Sequence, residues 1–211
     1  MITAIDTIVW DLGGVLVDWS PLYVYDENYF ASLDERDYFF NHICTNDWNE
    51  QQDAGYSLEK ATQEKLAEFP DPRWEQAIRD YYGKWTTMLR GPLSETVDLF
   101  QEMRSLDRYR HYAITNWSAE NFPIALSRFD FLHWFDGRLV SGEEGMRKPF
   151  PEFFQLLFDR FQIDPARSIF IDDNLRNVKA GEAMGLRGIH FQSAKNLRKE
   201  LETMGLFDHR P

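Results

Sequence analysis

The sequence predicts an α/β protein, a doubly wound parallel sheet with a helical segment inserted after its first strand. Short, unbroken apolar runs recur along the chain, at "TIVW" (7–10), "YAIT" (112–115), "GRLVS" (137–141), "SIFI" (168–171) and "RGIHF" (187–191). They are too short for helices, and their lack of alternation fits strands buried on both faces. After residue 92 these runs alternate with helix-length segments, the pattern of successive strand–helix–strand units. Residues 19–91, by contrast, carry no strand-like run. A bare crossover needs only about a dozen residues, so this stretch reads as a separate helical cap.

The elements follow in order. The first strand ends at Asp11, and "LGG" behind it supplies a turn. Within the insertion, "SLEKATQEKLAEF" (57–69) and "RWEQAIRDYYGKWTTML" (73–89) read as helices parted by "PDP", and "RGP" (90–92) reads as the hinge back. The expected division is therefore 1–18 with 92–211 as core, and 19–91 as cap. In the core, "SETVDLFQEMRSL" (94–106) has Ser94 placed as an N-cap before Val97, Leu99, Phe100 and Met103. Segments 118–129, 150–161 and 174–185 supply the later helices, the last ending in a glycine suited to a helix C-terminus. There are no internal repeats and no low-complexity tracts.

Composition narrows the function. The net charge of −12 argues against nucleic acid and anionic membrane as partners. One cysteine, Cys44, excludes an internal disulfide and suits a reducing compartment. With no basic, apolar leader and no long apolar run, the expected address is the cytoplasm. Aromatic residues make up 16% of the chain, enough to line a pocket as well as a core. Oligomeric state is not legible.

Polar residues stand where the proposed strands end: Asp11, then Thr115 and Asn116, then Asp172 and Asp173. Open parallel sheets bind ligands outside these carboxyl ends, so the three groups should converge. A lone Asp there is more often a turn residue, but the set is harder to explain that way. Carboxylates gathered together repel unless a cation sits among them, and Mg²⁺ takes hard oxygen ligands. Asp11, Asp172, Asp173 and a carbonyl of the "LGG" turn could hold it. Thr115 and Asn116 offer donors to an anion. Lys148, in "EEGMRKPFP", could clamp carboxylate and phosphate charge.

"VWDLGGVL", "AITNWS", "RKPFPEFF" and "FIDDN" stand in the order and spacing of the four motifs of the haloacid dehalogenase-like hydrolase superfamily, which the chain resembles over nearly its whole length. The resemblance implies a Rossmann-like core with a helical cap. It also implies Asp11 as a nucleophile that forms an acyl-phosphate, Thr115 as phosphoryl-binding, and Lys148 as stabilising both. Asp172 and Asp173 would hold Mg²⁺ with the Gly13 carbonyl. "DLGGVLVDW", "NDWNEQQDAG" and "SGEEGMRKP" resemble a subgroup of small bacterial members called phosphatases or dehalogenases. One departure stands out: phosphatases of the family usually carry a second Asp two residues after the nucleophile, and here that position is Gly13. Losing a proton donor typically costs about 10²–10⁴-fold in rate.

Two hydrolase readings follow. One is a Mg²⁺-dependent phosphatase of a small organic phosphate, a sugar phosphate among the candidates, working through an aspartyl-phosphate. The other is a metal-independent 2-haloacid dehalogenase, which needs no proton donor at position 13. "IDDN" favours the phosphatase, because similar dehalogenases carry neutral residues there. A catalytically degenerate phosphate-binding relative is a third reading. Asp18 and the cap residues Trp48, Glu50 and Asp53 are further candidates, each balanced by a structural explanation. His42, His111 and Cys44 read as packing or solvated residues, and "HF" at 190–191 is assigned no chemistry.

Overall fold

The five apolar runs do form one parallel sheet. In the computed structural model, which describes residues 4–207, β1 (Thr7–Trp10) lies at the centre. The short strands β2 (Val17–Trp19) and β3 (Leu89–Pro92) stand apart from it. The sheet is completed by β4 (Arg110–Thr115), β5 (Gly137–Val140), β6 (Ser168–Asp172) and β7 (Arg187–His190), in the order β5-β4-β1-β6-β7. The chain builds outward from β1 on one side, then crosses back to build the other. The switch point falls between β1 and its two neighbours, where such sheets open a crevice.

Continuity of the apolar runs follows from cover on both faces. Ile8 and Trp10 point into one core, with Ile169 and Ile171, while Val9 points into the other, with Ile114 and Phe170. This is the period-two alternation of a strand, with both sides apolar. Each such fully buried side chain contributes roughly 1.5–3 kcal/mol.

The helices, in chain order, are α1 (Leu33–Tyr38), α2 (Asn46–Asp53), α3 (Leu58–Glu68), α4 (Pro72–Gly83) and α5 (Trp85–Met88) in the insertion. The core helices are α6 (Ser94–Ser105), α7 (Phe122–Arg128), α8 (Ser141–Glu144), α9 (Pro151–Phe161), α10 (Leu175–Ala183) and α11 (Ala194–Thr203). Helix α9 packs Phe153, Phe154 and Leu157 on the Val9 face, whereas α6 and α11 bring Phe100, Met103, Leu197 and Leu201 to the other. Among the described residues no helix is long and apolar enough to cross a membrane.

Several expectations need correction. "RGP" is not a bare hinge: Leu89–Pro92 is β3, paired antiparallel with β2. The chain therefore enters and leaves the insertion through one ribbon, whose strands are too short and mixed to show an apolar run. The helix expected over 73–89 breaks between α4 and α5 at Lys84. Ser94 is the first helical residue rather than the cap; Leu93 precedes it and α6 has no side-chain cap bond. Helix α7 starts at Phe122, because "TNWSAE" before it is spent on a loop.

Candidate active site

Asp11 is fixed by both of its neighbours in the chain's path. Its amide donates to the Ile171 carbonyl (2.8 Å), extending the β1–β6 ladder by one bond, and Leu12 N–H donates to Asp11 Oδ1 (2.7 Å). The turn then closes through Gly14 N–H to the Val17 carbonyl (2.9 Å). Gly14 has φ +72°, and a Cβ there would stand 2.2 Å from Asp173 Oδ2. Only glycine allows both that backbone and the approach of Asp173.

Lys148, wholly buried, reaches Asp11 Oδ1 at 2.8 Å and Asp172 Oδ2 at 2.7 Å. Its loop is held by Asn116, whose side-chain amide donates to the Lys148 carbonyl (2.9 Å) while its oxygen accepts from Lys148 N–H (2.8 Å). Thus Asn116, expected to offer its side chain to an anion, spends that side chain on the lysine. Thr115 ends β4 and is buried.

Asp172 is saturated. Besides Lys148, it accepts from Asn174 N–H (2.8 Å) and from the Asn177 amide at 3.2 Å. Asp173 is exposed and keeps its carboxylate open. Asp11, Asp172 and Asp173 present oxygen atoms within 4.8 Å of one another. Against three acids stands one buried cation. Burial pushes the Asp11 carboxyl up; Lys148 opposes this, and Asp172 and Asp173 reinforce it. Burial would lower the Lys148 ammonium, but Asp11 and Asp172 together hold it above its ordinary value. A carboxylate set of this kind, short of positive charge, fits a hard divalent cation such as Mg²⁺.

Beside these groups a small cavity of about 80 Å³ is lined by Gly13, Trp19, Asn49, Asp53, Tyr82, Trp85, Asn116, Trp117, Ser118 and Asn121. A Cβ built on Gly13 meets nothing within 4 Å, so the family's usual second acid has open space in its place. The other candidates divide. Asp53 lines the cavity. Glu50 instead faces the core, pairing with Arg147 (2.7 Å) and Arg176. Trp48 packs on Tyr81 and Tyr82. Both oxygens of Asp18 accept from the Tyr23 hydroxyl, at 2.8 and 2.9 Å. His111 is a packing residue: its Nδ1 accepts from Trp10 Nε1 (3.2 Å), and burial lowers its pKa to about 4. Cys44 is buried, which pushes its thiol up.

The sequence reading missed three residues. His190 lies within 2.9 Å of the Asp173 carbonyl, so it is not remote from the motifs. Its register opposite Asp172 was the available signal, but it needs the strand order to be known. Asn177, one turn into α10, and Arg147, next to Lys148, have no signal beyond their spacing.

A Rossmann-like sheet that sets an acid on its central strand, a buried lysine beside it and more acids on the next strand defines a hydrolase of the haloacid dehalogenase kind. Residues 5–185 match the haloacid dehalogenase-like hydrolase family, and the chain belongs to it. Over 204 residues it is 27% identical to the sesquiterpene phosphatase astK of Aspergillus oryzae, covering 97% of this chain and 98% of that one. It is 39% identical over 100 residues to flavin mononucleotide hydrolase 1 of Arabidopsis thaliana, covering 47% of this chain and 40% of that protein. Its fold is also that of a family enzyme from Bacteroides thetaiotaomicron solved in complex with magnesium and inorganic phosphate. There the TM-score is 0.67 at 21% identity, covering 90% of this chain and 96% of that one.

Proposed function

We propose that the chain is a Mg²⁺-dependent phosphatase of a small organic phosphate, acting through an aspartyl-phosphate on Asp11, with residues 19–91 as a cap over the site. The observation that carries this is the acid excess. Three carboxylates share one buried lysine, and a halide-displacing site has no use for the cation they call for. The phosphatase and nucleotide-hydrolase names of the relatives, and the magnesium and phosphate of the Bacteroides enzyme, support the same reading. Aromatic faces beside amides in the cavity suit a ring or an apolar organic group, sugar phosphates included.

The chemistry follows from position. An Asp11 oxygen attacks phosphorus while the alcohol oxygen leaves; water then cleaves the acyl-phosphate and restores the carboxylate. Lys148 holds Asp11 in place and offers charge to the transferring oxygens. Thr115 donates its hydroxyl to the phosphoryl group. Asp11, Asp173 and the Gly13 carbonyl would hold Mg²⁺, with Asp172 anchoring Lys148 beside it; when bound, the ion neutralises phosphoryl charge.

A panel of phosphate esters and 2-haloacids, assayed with Mg²⁺ and with EDTA, tests this. Phosphate release that requires Mg²⁺ and vanishes in Asp11→Asn is expected. Halide release from a 2-haloacid in EDTA would overturn the reading in favour of the dehalogenase.

A further inference from the structure

With Gly13 at the family's acid position, the leaving oxygen needs a proton from elsewhere or must depart as an anion. We propose that Asp53, carried into the site by the insertion, is the general acid and base of this hydrolase. The proposal rests on the phosphatase reading above.

Three observations place Asp53 in this role. First, it lines the same cavity as Gly13, and the space at Gly13 is open. The two other acids that sequence offered are engaged away from this cavity, Asp18 with Tyr23 and Glu50 with Arg147 and Arg176. Second, Asp53 is aimed. The Asn49 amide donates to Asp53 Oδ2 (3.0 Å), and Asn49 is itself oriented by the Tyr82 hydroxyl (3.0 Å). The Asp53 carbonyl accepts from the Ser141 hydroxyl of the core. Gly55, with φ +96°, lets the following turn come so close that a Cβ there would stand 3.0 Å from the Gly142 carbonyl. Third, Asp53 is the last residue of α2, where a negative charge opposes the helix dipole and so serves the helix poorly.

The electrostatics suit the task. Burial, then the charge of Glu50, pushes the Asp53 carboxyl up to about 7, against the pull of Arg147 and the Ser118 amide. Arg176 pairs with that same Glu50. A group titrating near neutrality can both give and take a proton. In the first step an Asp11 oxygen bonds to phosphorus, the bond from phosphorus to the ester oxygen breaks, and protonated Asp53 gives its proton to that oxygen, releasing an alcohol. In the second, ionised Asp53 takes a proton from water as the water oxygen bonds to phosphorus. The bond to Asp11 breaks, and inorganic phosphate leaves with Asp53 again protonated.

The experiment is single-turnover phosphoryl transfer with Mg²⁺ across esters graded from 4-nitrophenyl to simple alkyl phosphates. Wild type, Asp53→Asn and Asp53→Asn with Gly13→Asp are compared. A shallow dependence on leaving-group pKa is expected for wild type. Asp53→Asn should steepen it, losing about 10²–10⁴-fold on alkyl esters and less than about tenfold on the nitrophenyl ester. The double variant should recover the alkyl rates, since position 13 has room for the side chain. Wild-type rates on alkyl esters should also fall as pH rises through about 7, a limb that Asp53→Asn lacks; this holds as a test even if the variants fold poorly. An equal loss on all esters, the mark of a residue that only seats the insertion, overturns the proposal and leaves the phosphatase reading standing. So does a wild-type slope as steep as that of Asp53→Asn. A wild type inert toward every ester overturns both.

Discussion

Lys148 shows how much of the site rests on one side chain. It is enclosed completely, and its charge is spent on Asp11 and Asp172 at 2.8 and 2.7 Å. Removing one partner from a buried pair leaves a charge without compensation, at a cost of about 3–5 kcal/mol. Lys148→Met should therefore lower stability by that order in urea unfolding and abolish turnover as well. A variant as stable as wild type would mean that the acids are neutral in its absence. Asp11, Lys148, Asp172 and Asp173 could be picked out of the sequence because each sits at a strand end or in a loop with a motif around it. The use of each could not. Asn116 looks like an anion donor until its side chain is seen gripping the Lys148 main chain, and Asp172, one of the acids that face each other here, also holds Lys148 and Asn174 N–H.

At the level of elements, the sheet was legible and the insertion only partly so. A strand covered on both faces announces itself by composition, as at Ile8-Val9-Trp10. The ribbon of β2 and β3 does not, because Asp18 and Arg90 interrupt its apolar residues and the pairing joins residues seventy or more positions apart. Helix α4 is tied to the chain before α1 by a polar knot that no periodicity reveals. Asp80 accepts from the Tyr29 hydroxyl, from the Gln76 amide and from Lys84, each at 2.7 Å. Burial would raise the Asp80 carboxyl, but Lys84, Tyr29 and Gln76 together hold it below the usual range. A depressed carboxyl stabilises the fold above the unfolded value of about 3.9, and that contribution is lost as pH falls through the lower folded value. Asp80→Asn should thus cost about 1–3 kcal/mol at neutral pH. The gap from wild type should close in acid. Unfolding midpoints at pH 7 and pH 3 check the sign, and a gap that widens in acid would contradict it.

The candidate site lies between two parts that share one apolar cluster and a set of polar contacts. The ends of β1 and β6 and the loop before α9 carry Asp11, the acid pair and Lys148, while the insertion brings Asn49, Asp53, Tyr82 and Trp85 to the cavity. At about 80 Å³ that cavity is far below the usual size of a ligand pocket, roughly 300–1,000 Å³, so if residues 19–91 act as the proposed cap, a bulky substrate calls for them to open. The contacts resisting this are of two kinds: polar ones, Glu50 with Arg147 and Arg176, Leu58 N–H with Glu120 Oε1 (2.9 Å), and Ser141 with the Asp53 carbonyl, and the apolar edge-to-face pair of Trp85 and Trp117, 5.7 Å between ring centroids. Of these the polar, half-buried contacts are the easier to release, since their loss on opening is offset by water. Glu50 is the hub, joining α2 to the Lys148 loop and to the start of α10. Glu50→Ala should remove about 1–2 kcal/mol of closure, on the scale of one or two ordinary hydrogen bonds, which is roughly a five- to thirtyfold rise in the open fraction. Hydrogen exchange reads this directly. Amides of α2 and of the turn at Gly55 should exchange faster by that factor, while those of β1, β6 and α9 should not change. Acceleration spread evenly over sheet and insertion would instead mean that Glu50 stabilises the fold as one unit, and that the insertion does not move as a cap.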